Sequence, residues 1–363
     1  MPSVGVSRDR KSNNKAEVRR EQQESVRKRS DMNETRVLLR TVVTASVREI
    51  VREAFDVFGV ERLIPRDSKV VVKVNLSTPF KEMAYASNTS PEILDAVCAV
   101  LATRTRQIWV GESDGMRYPS EEAFEASGFY PILEKYGVKP INFTKDAWVE
   151  TPHPLIRGWG LSKTLLDADV FITLPVLKTH ATTAFTGALK NQFGCVPQHN
   201  RILLHPKLDE VLVLMNSILK PKLAIMDGIV AMEGRGPING KPRQLGVILA
   251  STDPVAVDAT AMRLVGLDPY ESRHIVLAAR EGLGKIDAGD IIVDGPFEAH
   301  RTHFLPAEKD LPIRMLGWIS RSKFLTEKLI LNPESFYPLR SGAMAFREVR
   351  DFFRKAVGSK GAS

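Results

Sequence analysis

Along this chain the apolar positions follow two alternating rhythms. Short, nearly continuous, β-branched runs recur: VLLRTVV (37–43), KVVVKVNL (69–76), QIWV (107–110), VKPINF (138–143), VFITL (170–174), LAIMD (223–227), LGVILA (245–250) and IIVDG (291–295). Such runs predict strands buried on both faces of a sheet. Between them the spacing changes to that of helices, over Ser46–Phe58, from Pro91, from Ser120 to a stop at Gly128, over Leu208–Leu219, from Pro254, and over Glu271–Glu281. Ser46 can cap the first of these helices and Gly59 can end it, while Pro91 and Pro254 stand just inside the starts of two others. The alternation predicts an α/β protein with a mostly parallel or mixed sheet flanked by helices and joined by right-handed crossovers. Its 363 residues leave room for two lobes sharing that sheet, with a site between them. The Pro-, Trp- and Gly-rich stretch 146–160 is the expected junction.

The ends of the chain break the rhythm. Residues 1–34 have almost no large aliphatics and no aromatics, and read as a disordered basic arm. The α/β core spans 35–300. Residues 301–363 mix aromatic and basic side chains and predict two amphipathic helices, Ile313–Leu331 and Met344–Val357, that can wrap back on the core, pair in a homodimer or lie on an anionic membrane surface. The formal charge of +8 is concentrated at these ends: residues 1–30 hold 9 Lys+Arg and 4 Asp+Glu, residues 301–363 hold 12 and 6, and the body between holds 30 and 33. A body of that balance is not a nucleic-acid binder. No apolar run is long enough to span a bilayer and the N-terminus is too charged for a signal peptide, so a cytoplasmic location is expected. Cys98 and Cys195, the two cysteines present, can build neither a disulfide framework nor a self-contained zinc or iron–sulfur site.

The candidate chemistry centres on residues 170–194, VFITLPVLKTHATTAFTGALKNQFG. Pro175 is expected to end the strand, placing Lys178, Thr179 and His180 just beyond it, before a small-residue segment that can run helical to Lys190 and Asn191 and stop at Gly194. The crevice outside the carboxyl ends of strands is where open α/β sheets bind ligands. Lys178 and Lys190 offer point charges to an anion, Thr179 and Asn191 offer hydrogen bonds, and His180 is the candidate acid or base. These are alternatives to solvated loop residues. Lys73 and Asn75 interrupt a strand; a lysine there is either paired or on an edge facing water. Asp258 lies on the apolar face of its helix, so it too must be paired or in a site.

Asp227, Glu233 and Asp253 follow strands or lie on the Gly-rich stretch 228–240, and hard oxygen ligands of this kind suit Mg²⁺. Against that, Asp253 followed by Pro254 is sufficient as a helix cap, and Asp227 can pair with a lysine. The glycines of 228–240 fit neither the phosphate-loop nor the dinucleotide spacing. His199 and His205 occupy a loop, 195–206, where histidines are more often exposed than ligands.

The motifs KVN (73–75), GES (111–113), LPVLKTH (174–180), TGALKNQFG (186–194), DGIVAMEGRGP (227–237) and DPVAVDA (253–259) together resemble the bacterial and archaeal family known as domain of unknown function 362, over about residues 36–296. The resemblance implies no general reaction. Some relatives carry cysteine clusters for iron–sulfur centres, and this chain departs from them in having no C-x-x-C; it also has KVN where a proline more usually follows the lysine. Residues and resemblance lead to an enzyme of unassigned reaction acting on a small anionic carboxylate or phosphate, with divalent-metal assistance. The alternative is a non-catalytic accessory or redox-pathway partner.

Overall fold

The computed structural model describes residues 34–358 apart from residues 43, 44, 117 and 309. The basic-arm expectation therefore falls outside the described residues, except for Glu34. Twelve strands are formed in chain order. They are β1 (Thr35–Thr41), β2 (Val70–Val74), β3 (Ile108–Glu112), β4 (Lys139–Asn142), β5 (Trp148–Glu150) and β6 (Gly160–Ser162). There follow β7 (Val170–Leu174), β8 (Val176–His180), β9 (Ala184–Thr186), β10 (Leu223–Glu233), β11 (Lys241–Ser251) and β12 (Ile291–Asp294). Ten of them make one sheet whose main path is β12-β1-β11-β10-β7-β2-β3-β4, with β8 on β10 and β9 on β8. The run from β4 to β10 is parallel, whereas β11 is antiparallel to both its neighbours. The fold is a mixed, mostly parallel α/β sheet flanked by helices.

Both faces of the centre are covered, as continuous apolar strands require. Val70, Val72 and Val74 pack beneath α1 (Val47–Val57), α3 (Pro91–Leu101) and α5 (Phe129–Tyr136), with Phe55, Leu94, Val97 and Phe129 in one core. The alternate residue Val71 faces the other way, against Phe143, Leu165 and Phe171. Lys73 follows Val71 on that second face. Further along the sheet, Leu39, Met226 and Leu249 meet α8 (Pro254–Leu264) and α9 (Arg273–Arg280) through Val255, Met262 and Ile275. Residues 148–162 of the expected junction form the separate β5–β6 ribbon.

Several local expectations are corrected. Lys73 is on a central strand, not an edge, and is fully buried. Pro175 does not end the extended chain: the β-branched VLKTH beyond it forms β8, which pairs with β10 and turns back as β9. Lys178 and His180 thus sit on a strand, and helix is confined to the single turn α6 (Ala188–Asn191). The stretch 228–240 is largely the tip of a long β10–β11 hairpin. Two helices escape the sequence reading, α2 (Lys81–Ser87) and α5. At the C-terminus α10 (Leu311–Ile319) is followed by short turns and by one 26-residue helix, α11 (Pro333–Gly358). No helix among the described residues is long and apolar enough to cross a membrane.

Asp258, on α8, explains how so short a helix as α6 is held. Its Oδ1 accepts from the Ala188 amide at 2.6 Å and its Oδ2 from the Leu189 amide at 2.9 Å. The carboxylate therefore caps α6 from another element, and a Cβ on Gly187 would lie 2.1 Å from Oδ1. Both oxygens are used, so Asp258 supports the site rather than lining it. Replacing Asp258 by alanine leaves two buried amides unpaired and is expected to lower stability by roughly 2–4 kcal/mol. Urea denaturation measures this, and a loss below about 1 kcal/mol would show that α6 does not need the carboxylate.

Candidate functional site

The carboxyl ends of β2, β3 and β7 converge on Lys73. Its ammonium donates to Glu112 Oε2 at 2.5 Å, to the Val74 carbonyl at 2.8 Å and to Asn191 Oδ1 at 3.2 Å. Neither charge reaches water: the side chains are 1% and 7% exposed. Pairing is what makes burial of two charges tolerable. Glu112 also accepts from the Leu76 and Ser113 amides. Asn191 ties the pair to α6. Its Oδ1 accepts from Lys73 and from Asn75 Nδ2, while its Nδ2 donates to the Lys73 carbonyl and Thr173 Oγ1. Gly194 closes the motif because a Cβ there would lie 2.2 Å from Glu112 Oε1 and 2.9 Å from Lys73 Nζ.

Beyond this pair the cations outnumber the acids. Lys178 Nζ, also buried, spends its three protons on neutral oxygens: Asn75 Oδ1 (2.7 Å), Ser77 Oγ (2.9 Å) and the Ser87 carbonyl (2.7 Å). Burial, then the Lys190 charge, pushes its pKa down to about 7. Lys190 has no hydrogen-bond acceptor among the described residues and lies 5.9 Å from the centre of the Phe193 ring. Burial, with Arg201 and Lys73 nearby, lowers it to about 8. Arg201 donates to the Asp114 and Val196 carbonyls, and burial lowers its pKa too. No carboxylate among the described residues pairs with Lys178, Lys190 or Arg201. Lys190, Arg201 and His205 are only half-buried, yet desolvation dominates their shifts. Protein crowds these three groups on one side while each keeps part of its surface in solvent, and the surface they border is here called the cleft.

The histidines of the cleft are neutral. His180 Nδ1 accepts from the Thr182 and Thr183 amides at 3.1 and 3.3 Å, which fixes its proton on Nε2. Burial and Lys190 hold its pKa well below the usual value. His180 is therefore a hydrogen-bond donor through Nε2 rather than a ready base. Burial and Lys190 likewise take His205, whose ring sits tilted against Phe193, down to about 3. Cys195 is enclosed and pushed up to about 12, too weakly acidic to be a thiolate nucleophile. Of the three site lysines, Lys190 has no acceptor among the described residues and is the one best placed to exchange a proton near neutrality.

The structure brings together Lys73, Asn75, Lys178, His180, Lys190 and Asn191. Thr179 faces away by strand alternation and donates to the Gly234 carbonyl. The expected metal ligands do not meet. Asp227 accepts from the Ser90 and Ile229 amides, and Glu233, six strand residues and about 20 Å further on, binds Arg243 and the Leu305 amide. Asp253 accepts from the Ala256 and Lys285 amides. Each carboxylate is committed to backbone amides, several of them distant in sequence, or to arginine, and among the described residues no three His, Cys, Asp or Glu side chains gather as a metal site. Sequence reasoning gave no site role to Glu112 or Arg201. Glu112 lay within the GES motif; Arg201 had no signal beyond its closeness to two loop histidines. Of these, His199 is exposed beside Asp114 and His205 joins the cleft.

The Lys73–Glu112 pair yields a test of its own. Lys73→Met alone strands a buried carboxylate and is expected to cost roughly 3–5 kcal/mol, whereas Lys73→Met with Glu112→Leu should regain most of that loss. A double-mutant cycle by chemical denaturation measures both; additive losses would show that the two charges do not depend on each other.

Over 236 residues the chain is 32% identical to a thylakoid-associated protein of Synechocystis sp., covering 62% of this chain and 71% of the relative. Among solved structures, the lactate racemase apoprotein of Thermoanaerobacterium thermosaccharolyticum aligns at 10% identity with a TM-score of 0.42. A Thermotoga maritima protein from a structural genomics programme aligns at 13% and 0.37. The alignments cover 61% and 64% of this chain, and the chain spans 54% and 59% of those proteins. Lys73, Glu112, Lys178, Lys190 and Asp258 all lie within residues 70–263, which match the sequence model of the family described as domain of unknown function (DUF362), and the chain belongs to that family.

Proposed function

We propose that the cleft bounded by Lys190, Arg201, His180 and His205 is the active site of an enzyme acting on a small anion, a carboxylate or a phosphate. What supports the reading is one observation: Lys178, Lys190 and Arg201 are brought close together in surroundings that penalise their charge, and among the described residues no carboxylate forms an ion pair with them. Unbalanced buried charge is costly, and function is the usual reason for retaining it. An anion supplies the missing countercharge. In this reading Arg201 presents its planar donors to the anion's oxygens. His180 adds a neutral donor from Nε2, and Lys190, titrating near neutrality, gives or takes the proton in the chemical step. Lys178 acts at one remove. Its bonds to Asn75, Ser77 and the Ser87 carbonyl fix the loop after β2, and its charge lowers the pKa of His180.

Inorganic phosphate and small mono- and dicarboxylates are the probes. A ligand at a hundred times its Kd adds about 2.7 kcal/mol, which in a chain of this size raises the Tm by about 5 °C. Lys190→Ala and Arg201→Ala should abolish that rise and leave the ligand-free Tm unchanged or higher, since each removes an uncompensated charge. Lys178→Ala should instead unfold more easily, by roughly 3 kcal/mol. If Arg201→Ala binds the probes as well as the unaltered chain does, the reading fails.

The pH dependence has a defined sign. The Lys190 pKa in the folded chain, about 8, is below its ordinary value of 10.5, and the anion needs the charged amine. Affinity is therefore expected to be greatest below pH 8 and to fall as pH rises through that value, while the stability of the ligand-free protein rises between about 8 and 10.5. Calorimetric titration on either side of this window measures the first effect and thermal melts the second.

A further inference from the structure

Helix α10 has two apolar faces, of which the core uses one. Leu316 and Ile319 pack with Ile330 against Ile202. An adjoining stripe carries Leu311, Met315 and Trp318 at i, i+4 and i+7, and these are 55%, 52% and 64% exposed; Phe324, beyond the helix end, is 66% exposed. Four large apolar side chains exposed within fourteen residues form a patch, not the scatter of single residues normal for a surface. Cations are threaded through it. Arg314 lies on the same stripe, one turn from Leu311 and from Trp318, and Arg321, Lys323 and Lys328 are exposed just beyond. Residues 311–331 hold those four basic side chains and one acid, Glu327.

That charge pattern selects the occupant. A second copy of the chain, meeting this patch about a two-fold axis, would set the same cations against each other with Glu327 alone to offset them. A bilayer bearing anionic headgroups meets both requirements at once, taking the apolar row into the headgroup boundary and leaving the arginines and lysines among phosphates. Tryptophan and phenylalanine beside basic residues are the composition of an interfacial anchor. We infer that the face of Leu311–Phe324 bearing Met315 and Trp318 rests on an anionic membrane surface without crossing it. Because the adjoining stripe of the same helix packs on Ile202, the segment carrying Arg201 and His205 lies beside the docked face. The inference is independent of the ligand assigned to the cleft.

Co-sedimentation of the full chain with vesicles tests it, using phosphatidylcholine alone and phosphatidylcholine mixed with phosphatidylglycerol. Binding is expected only to the mixed vesicles, with weakening by added salt and a blue shift of tryptophan emission. Trp318→Asp with Phe324→Asp should reduce partitioning at least about tenfold while leaving the Tm unchanged, since both residues are exposed. Arg321→Gln with Lys323→Gln should weaken binding less and remove part of its salt dependence. Three results overturn the inference. One is no binding to the mixed vesicles, as an acidic protein partner would predict. Another is binding that persists unchanged in Trp318→Asp/Phe324→Asp, which would place the contact elsewhere in the chain. The last is a wild-type dimer that these two substitutions dissociate and that does not bind vesicles.

Discussion

Two opposite charges buried side by side, Lys73 on β2 and Glu112 at the end of β3, organise the candidate site. The parallel register pairs Lys73 with Gly111, so the next residue, Glu112, arrives at the strand end level with the ammonium. Removing either partner would leave the other as a buried charge without compensation, which is costly. Asn191 bonds to the lysine and thereby fixes α6; Asn75 bonds to Asn191 and then to Lys178. An ion pair of this kind contributes little net stability compared with a hydrophobic substitute. Its value is directional: it defines where three polar side chains, Asn75, Asn191 and Lys178, from three separated segments must point.

The lysines of the site form a series. Lys73 is matched by a full countercharge, Lys178 by three neutral oxygens, and Lys190 by none among the described residues. Reactivity follows the same order, because an amine whose protons are already committed cannot exchange them, and one left uncommitted in poorly solvated surroundings can. The acidic residues that might have balanced the cluster are occupied elsewhere. Asp258 and Asp253 hold the starts of helices, Asp227 holds a backbone turn and Glu233 holds the hairpin tip to Leu305.

The sheet was legible because burial on both faces leaves an unmistakable mark: every apolar run proposed as a strand has a counterpart within a few residues. Helices with strong caps, such as those starting at Ser46, Pro91 and Pro254, were equally readable. What failed did so for identifiable reasons. The VLKTH segment follows a proline, and proline as a strand terminator outweighed its β-branched composition; in fact the chain passes through Pro175 to a neighbouring strand of the same sheet. Helix α5 begins at a left-handed glycine, Gly128 (φ +67°), which had been read only as a stop. Lysines 73, 178 and 190 could be nominated from their concentration at strand ends, but which were paired could not, since the partners Glu112, Ser77 and Ser87 are distant in sequence. The carboxylates misled for a related reason. Position after a strand suits metal ligation and helix capping alike, and only three-dimensional placement distinguishes them.

Gly187 and Gly194 mark the limits of a segment held at one end by Asp258 and at the other by Ser113 Oγ, which donates to the Gly194 carbonyl, and at each end a carboxylate, Asp258 or Glu112, lies so close that no side chain fits. A stretch clamped in this way travels with the sheet and contributes little motion of its own. Breathing of the cleft falls instead to the 3₁₀ turns of Arg201–Lys207, which supply the opposite wall. Those turns are held from behind by Ile319 and Ile330 through Ile202. On the proposed function, the grip of the chain's distant C-terminal portion would then set how readily the cleft exchanges its ligand, although its residues take no chemical part.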